Sequence, residues 1–74
     1  MIDLTNYIEI QEDIEIKTII TCSLRLDKNT MIEALKNDCI YINGDYFKIP
    51  EKDLLNCLTN NIYGEIRIEL EKIS

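Results

Sequence analysis

Histidine, tryptophan and valine are absent from this 74-residue chain, and it holds only two glycines, one proline and two serines. Without histidine there is no Ser-His-Asp triad, no imidazole metal ligand and no histidine pH switch. Two glycines cannot build a phosphate-cradling loop, and no DxDxDG calcium loop is present. The three cysteines, Cys22, Cys39 and Cys57, are widely spaced and include no CxxC pair. An odd, unclustered set signals neither a disulfide framework nor a zinc site. Each is read instead as a small buried hydrophobe in a reducing compartment. No apolar run approaches the ~20 residues of a membrane-spanning helix. Met1-Ile2-Asp3-Leu4 offers neither the basic region nor the apolar run of a signal peptide, so the expected address is cytoplasmic.

What is present describes one globular unit, residues 1–74. The chain is 46% apolar and 30% charged, which argues against disorder. A chain this short buries only roughly 60% of its unfolded surface, so a single modest core is the limit. Eight Lys and Arg stand against fourteen Asp and Glu, for a net charge of −6. Phosphate binding requires cations, so direct binding to nucleic acid or to an anionic membrane is disfavoured, and a basic protein partner is favoured. Fifteen isoleucines and seven asparagines against one alanine are the usage of an AT-rich coding sequence. That associates the chain with a low-GC bacterium, a phage or a mobile element.

From Ile8 to Leu26 apolar residues fall on even numbers: Ile8, Ile10, Ile14, Ile16, Ile20, Cys22, Leu24 and Leu26. Period two is the signature of half-buried strands. Gln11-Glu12-Asp13 interrupts it, and a three-residue turn there pairs Ile10 with Ile14 and Ile8 with Ile16. Thr18 and Ile19 break the alternation, which is the sign of a bulge or a local twist near them. Thr30-x-x-Glu33 reads as a capping box, with Asp27 as a competing N-cap, opening a short helix through Met31, Ile32, Ala34 and Leu35. Asn43-Gly44 is the preferred two-residue type I′ hairpin turn. It pairs Ile42 with Asp45, Tyr41 with Tyr46 and Ile40 with Phe47. Pro50, then Glu51 and Asp53, open a second helix whose inward stripe is Leu54, Leu55 and Leu58 with Cys57; Asn60-Asn61 ends it in the left-handed region. After Gly64, Ile66, Ile68 and Leu70 face one way, and Glu65, Arg67, Glu69 and Glu71 the other.

The expected fold class is α+β, a single mainly antiparallel sheet with two short helices on one face in the order ββαββαβ. It is a ferredoxin-like βαββαβ plus an N-terminal strand, or a meander if the first crossover fails to make a parallel connection.

No carboxylate, lysine or cysteine sits in a catalytic motif, so no catalytic residue, cofactor or metal is expected. A small cysteine-dependent enzyme is the remotest alternative, because the thiols lie among apolar residues without cations. One surface stands out. The first hairpin sets Glu9 opposite Glu15, and the last strand adds Glu65, Glu69 and Glu71 with outward parity, relieved only by Arg67. This face is a candidate to occupy a basic nucleic-acid-binding groove on a larger protein; the plainer alternative is a charged guard against edge-to-edge aggregation. Tyr41 and Tyr46, together with Glu12 and Asp13 at the first turn, form a second candidate surface. The aromatic pair serves equally well to stabilise its hairpin. In size and charge the chain is similar to small acidic phage inhibitors of host defence, such as anti-CRISPR proteins. That likeness is one of bulk properties and carries no residue role. The function expected is a non-catalytic, acidic protein-binding inhibitor. The alternative is a homodimer or larger homo-oligomer built through isoleucine-rich strand edges.

Overall fold

The computed structural model describes residues 1–13 and 18–73, with residues 10–13 described by their backbone alone. The elements run β1 (Ile2–Asp3), a 3-10 turn (Thr5–Tyr7), β2 (Ile8–Asp13), β3 (Ile19–Leu26), α1 (Lys28–Leu35), β4 (Cys39–Ile42), β5 (Asp45–Lys48), α2 (Glu51–Thr59) and β6 (Gly64–Glu71). This is the α+β class and the ββαββαβ order, preceded by a two-residue strand too short to leave any periodicity. β1 pairs in parallel with β4, and Leu4 behind it is fully buried, its N–H donating to the Tyr41 carbonyl at 2.9 Å.

The single sheet is corrected to two of three strands each, β1-β4-β5 and β2-β3-β6. They join where Phe47 bridges Lys72 in antiparallel fashion and Ile73 N–H donates to the Tyr46 carbonyl at 2.9 Å. The ferredoxin-like arrangement fails for a physical reason. β6 pairs with β3 along its whole length, from Ile19–Glu71 to Leu26–Gly64, and β2 holds the other flank. With both flanks of β3 satisfied, no backbone groups remain for a parallel neighbour.

The first turn is also corrected. Gln11, Glu12 and Asp13 continue β2, pairing with Cys22, Thr21 and Ile20, and Ile8 pairs with Leu24 rather than Ile16. Extending the strand satisfies more main-chain groups than a tight turn would. The bulge lies between Ile8 and Ile10, not at Thr18–Ile19. It shifts Ile10 opposite Ser23, so one even-numbered register does not run through the whole segment. Ile14, Glu15, Ile16 and Lys17 lie outside the described residues.

The β4–β5 hairpin forms as the residues dictate. Asn43 and Gly44 take φ of 49° and 91°, and the Ile42–Asp45, Tyr41–Tyr46 and Ile40–Phe47 pairs are present. α1 is capped by Asp27, which accepts from Thr30 N–H at 2.8 Å, so the competing cap prevails over Thr30. The bond holds the Asp27 carboxyl below the ordinary aspartate range. α2 starts after Pro50 and ends in a Schellman motif: Ile62 N–H reaches the Cys57 carbonyl, Asn61 N–H the Leu58 carbonyl, and Asn61 has φ 54°.

One core unites the fold. Met31 and Ala34 of α1, with Leu54 and Cys57 of α2, pack with Ile20, Cys22, Leu24 and Leu26 of β3, Ile66, Ile68 and Leu70 of β6, and Ile40, Ile42 and Phe47 of the hairpin. Helices and inward strand residues therefore share one side of the sheets, and the alternate residues face outward.

Candidate functional site

The outward residues of β6 alternate Glu65, Arg67, Glu69 and Glu71, all exposed. Their partners on β3 are Arg25, Ser23, Thr21 and Ile19. Neither helix covers this face, because both bury their apolar stripes on the other side. At a rise of about 3.4 Å per residue, Glu65 and Glu71 stand roughly 20 Å apart, so this is an extended row rather than a pocket.

The row is less uniformly acidic than its parity suggested. Arg25, on the central strand, lies between two carboxylates: its Nε donates to Glu9 Oε1 at 2.7 Å and its Nη2 lies 4.0 Å from Glu65 Oε2. The Glu9 hydrogen bond, then the Glu9 charge, push the guanidinium's pKa further up. At the far end Lys48 of β5 pairs with Glu71. The expectation that Arg67 alone relieves the carboxylates is thus overturned, since Arg25 and Lys48 share that role. Glu9 faces Arg25, not Glu15, because the β2–β3 register opposes Ile8 to Leu24. Like charges directly opposed are destabilising, and this register sets opposite charges together instead. Arg25's odd number was a sign of its outward position, but the strand order that brings Glu9 and Glu65 to it is invisible in the residues.

The structure thus gathers Glu9 and Glu65 around Arg25 and strings Glu69 and Glu71 along the same face. Glu15 lies outside the described residues. Glu12 and Asp13 are strand residues whose backbone opposes Thr21 and Ile20, not members of a turn. Tyr41 and Tyr46 make an edge-to-face pair, ring centroids 5.1 Å apart and planes at 61°. Tyr46 is exposed, and the exposed Ile73 lies beside it through the Ile73–Tyr46 backbone bond. This aromatic pair adjoins the Lys48–Glu71 pair at one end of the β6 row, whereas Glu12 and Asp13 belong to β2 on the opposite flank of β3, so the second candidate surface is not brought together.

The thiols have other surroundings. Cys22 is buried, and desolvation pushes its pKa up to about 11. Burial, then the Asp53 charge, raise Cys57 as well. Both shifts disfavour the thiolate, which is the nucleophilic form. Cys39 is half-buried at the start of β4. Among the described residues no three Cys, Asp or Glu side chains gather as a metal-binding set, and no helix is long and apolar enough to cross a membrane. No protein-family model matches the chain, and neither does any curated protein or solved structure.

Proposed function

We propose that this chain is a small, acidic, non-catalytic protein-binding domain that lays the outer face of β3 and β6 on a basic surface of a larger protein. The observation that carries this reading is the exposed outer row of β6, beside which Ser23 of β3 is itself buried. Eight strand residues of β6 present Glu65, Arg67, Glu69 and Glu71 to solvent with no helix above them, and Glu9 and Arg25 extend the face sideways. The net charge of −6 steers the domain toward cationic surfaces, including those that bind nucleic acid. Occupying such a surface blocks it, which is the action of an inhibitor and suits a phage or mobile element acting on a host machine. Three free cysteines fit a reducing, cytoplasmic setting. Interspersed cations make the face a patterned surface rather than a continuous imitation of a phosphate backbone, so the partner must match positions and not only charge.

The test is affinity capture from a host extract across a salt series, run beside a Glu65→Lys, Glu69→Lys, Glu71→Lys triple variant. A basic protein retained at low salt, lost steeply as salt rises and absent from the triple variant supports the reading. Retention that ignores both salt and the three reversals overturns it.

A further inference from the structure

The geometry points to the free edge of β6 as a pairing surface for a second copy of this chain, joined in antiparallel fashion about a two-fold axis at Ile66. The direction of the backbone groups comes first. Lys72 N–H donates to the Thr18 carbonyl, toward β3, whereas Ile73 N–H donates to the Tyr46 carbonyl, toward β5. The β3–β6 register runs without a shift from Ile19–Glu71 to Leu26–Gly64. Strand alternation then turns the N–H and C=O groups of Glu65, Arg67 and Glu69 toward the β5 side.

β5 does not reach them. It pairs with the chain only near Phe47–Lys72, and Pro50 then diverts it into α2. Among the described residues no strand pairs with this stretch of β6 on that side. An open edge of this kind is a template for another strand.

Charge selects the occupant and the register. With the axis at Arg67, Arg67 opposes its own copy and Glu65 opposes Glu69 of the other chain, so every pair is repulsive. With the axis at Ile68, Glu65 is driven against the position of Glu71, whose edge β5 already holds. With the axis at Ile66, Glu65 of each copy meets Arg67 of the other, both pairs are attractive, and the strands stay clear of β5. Arg67 is also engaged within its own chain, and the pairing adds a carboxylate beside it. The exposed Ile62 and Tyr63, next to the start of β6, lie at the ends of this seam and gain cover from it. The in-plane junction ties Glu65 and Arg67 across the seam and leaves Glu69 and Glu71 of the outer row open, and the pairing does not depend on the binding role proposed for that row.

Sedimentation equilibrium of the intact chain, from micromolar to about millimolar protein, tests this. The weight-average mass is expected to climb from 8.7 kDa toward twice that value. Arg67→Glu makes both cross-chain pairs repulsive and should lower the association constant at least about tenfold. Glu65→Arg alone should do the same, and covers the case in which Arg67→Glu does not fold. The double variant Glu65→Arg, Arg67→Glu restores both pairs and should return the constant to within about threefold of its original value. A single 8.7 kDa species at every concentration overturns the proposal. So does a dimer that the single reversals leave unchanged.

Discussion

The two hairpins of this fold hold their strands by different means. β4–β5 closes through two residues with positive φ, pairs all four positions of each strand, and sets Tyr41 edge-to-face with Tyr46 across the ladder. β2–β3 carries a bulge between Ile8 and Ile10 and leans on β6 along the whole far side of β3. The first is specified by its own residues and the second by its neighbours. A register fixed by a turn tolerates little change at that turn. A register fixed by packing tolerates change at any one surface point but depends on the core behind it.

The largest expected effect lies where the two sheets meet. Phe47 is fully buried, forms the inward half of the β4–β5 hairpin and makes the bridge to Lys72. Phe47→Ala should cost about 3–5 kcal/mol by urea denaturation, close to the whole stability of a domain this small. The far-UV signal of both sheets should fall together. Loss of one hairpin's signal with the other retained would show that the sheets fold independently and would break the comparison.

Gly44→Ala is the next largest. Its Cβ would meet nothing within 4 Å, so the loss comes from the backbone alone, at φ 91°. Holding an L-residue there costs about 1–2 kcal/mol. A change near zero would mean that the strands, not the turn, set the register of β4–β5, making the two hairpins alike.

The same contrast explains what the residues revealed in advance. Asn43-Gly44 names its turn type, and the turn type names every pair from Ile42–Asp45 outward, so this hairpin and its Tyr41–Tyr46 contact were legible. The helices were legible through Pro50, Asn61 and the Leu54, Cys57 and Leu58 stripe, but Leu55, expected on that stripe, is exposed, because adjacent helix positions point about 100° apart and only one of Leu54 and Leu55 can face the core; at α1 two adjacent capping signals competed, and only the Asp27–Thr30 bond separates them. β6 was legible through strict alternation. The β2–β3 register was not, because isoleucine at 8, 10, 14 and 16 satisfies several pairings equally, and the choice falls to long-range contacts with β6. β1 was illegible because two residues carry no period. Of the candidate face, the outward parity of Glu65, Glu69 and Glu71 was in the chain. The neutralising positions of Arg25 and Lys48 depend on strand order, which no local pattern encodes.

The smallest effect is expected at the Glu9–Arg25 pair, and it sharpens the comparison most. These residues flank the bulge side of β2–β3, at 2.7 Å and on the outer face. Both side chains are open to solvent, with Arg25 at 62% exposure, so water and salt compete for each charge. If core packing sets this register, a double-mutant cycle of Glu9→Gln and Arg25→Gln should yield a coupling well below the Gly44→Ala effect. It should vanish by about 1 M salt, where the screening length is only ~3 Å. A coupling that persists at high salt would mean that the ion pair fixes the position of β2, and the bulged hairpin would then carry a local determinant of its own. Because Glu9 belongs to the proposed binding face and Glu65 also approaches Arg25, the same variants separate two roles. Loss of partner capture without loss of stability would assign the pair to recognition, and loss of both would assign it to the fold.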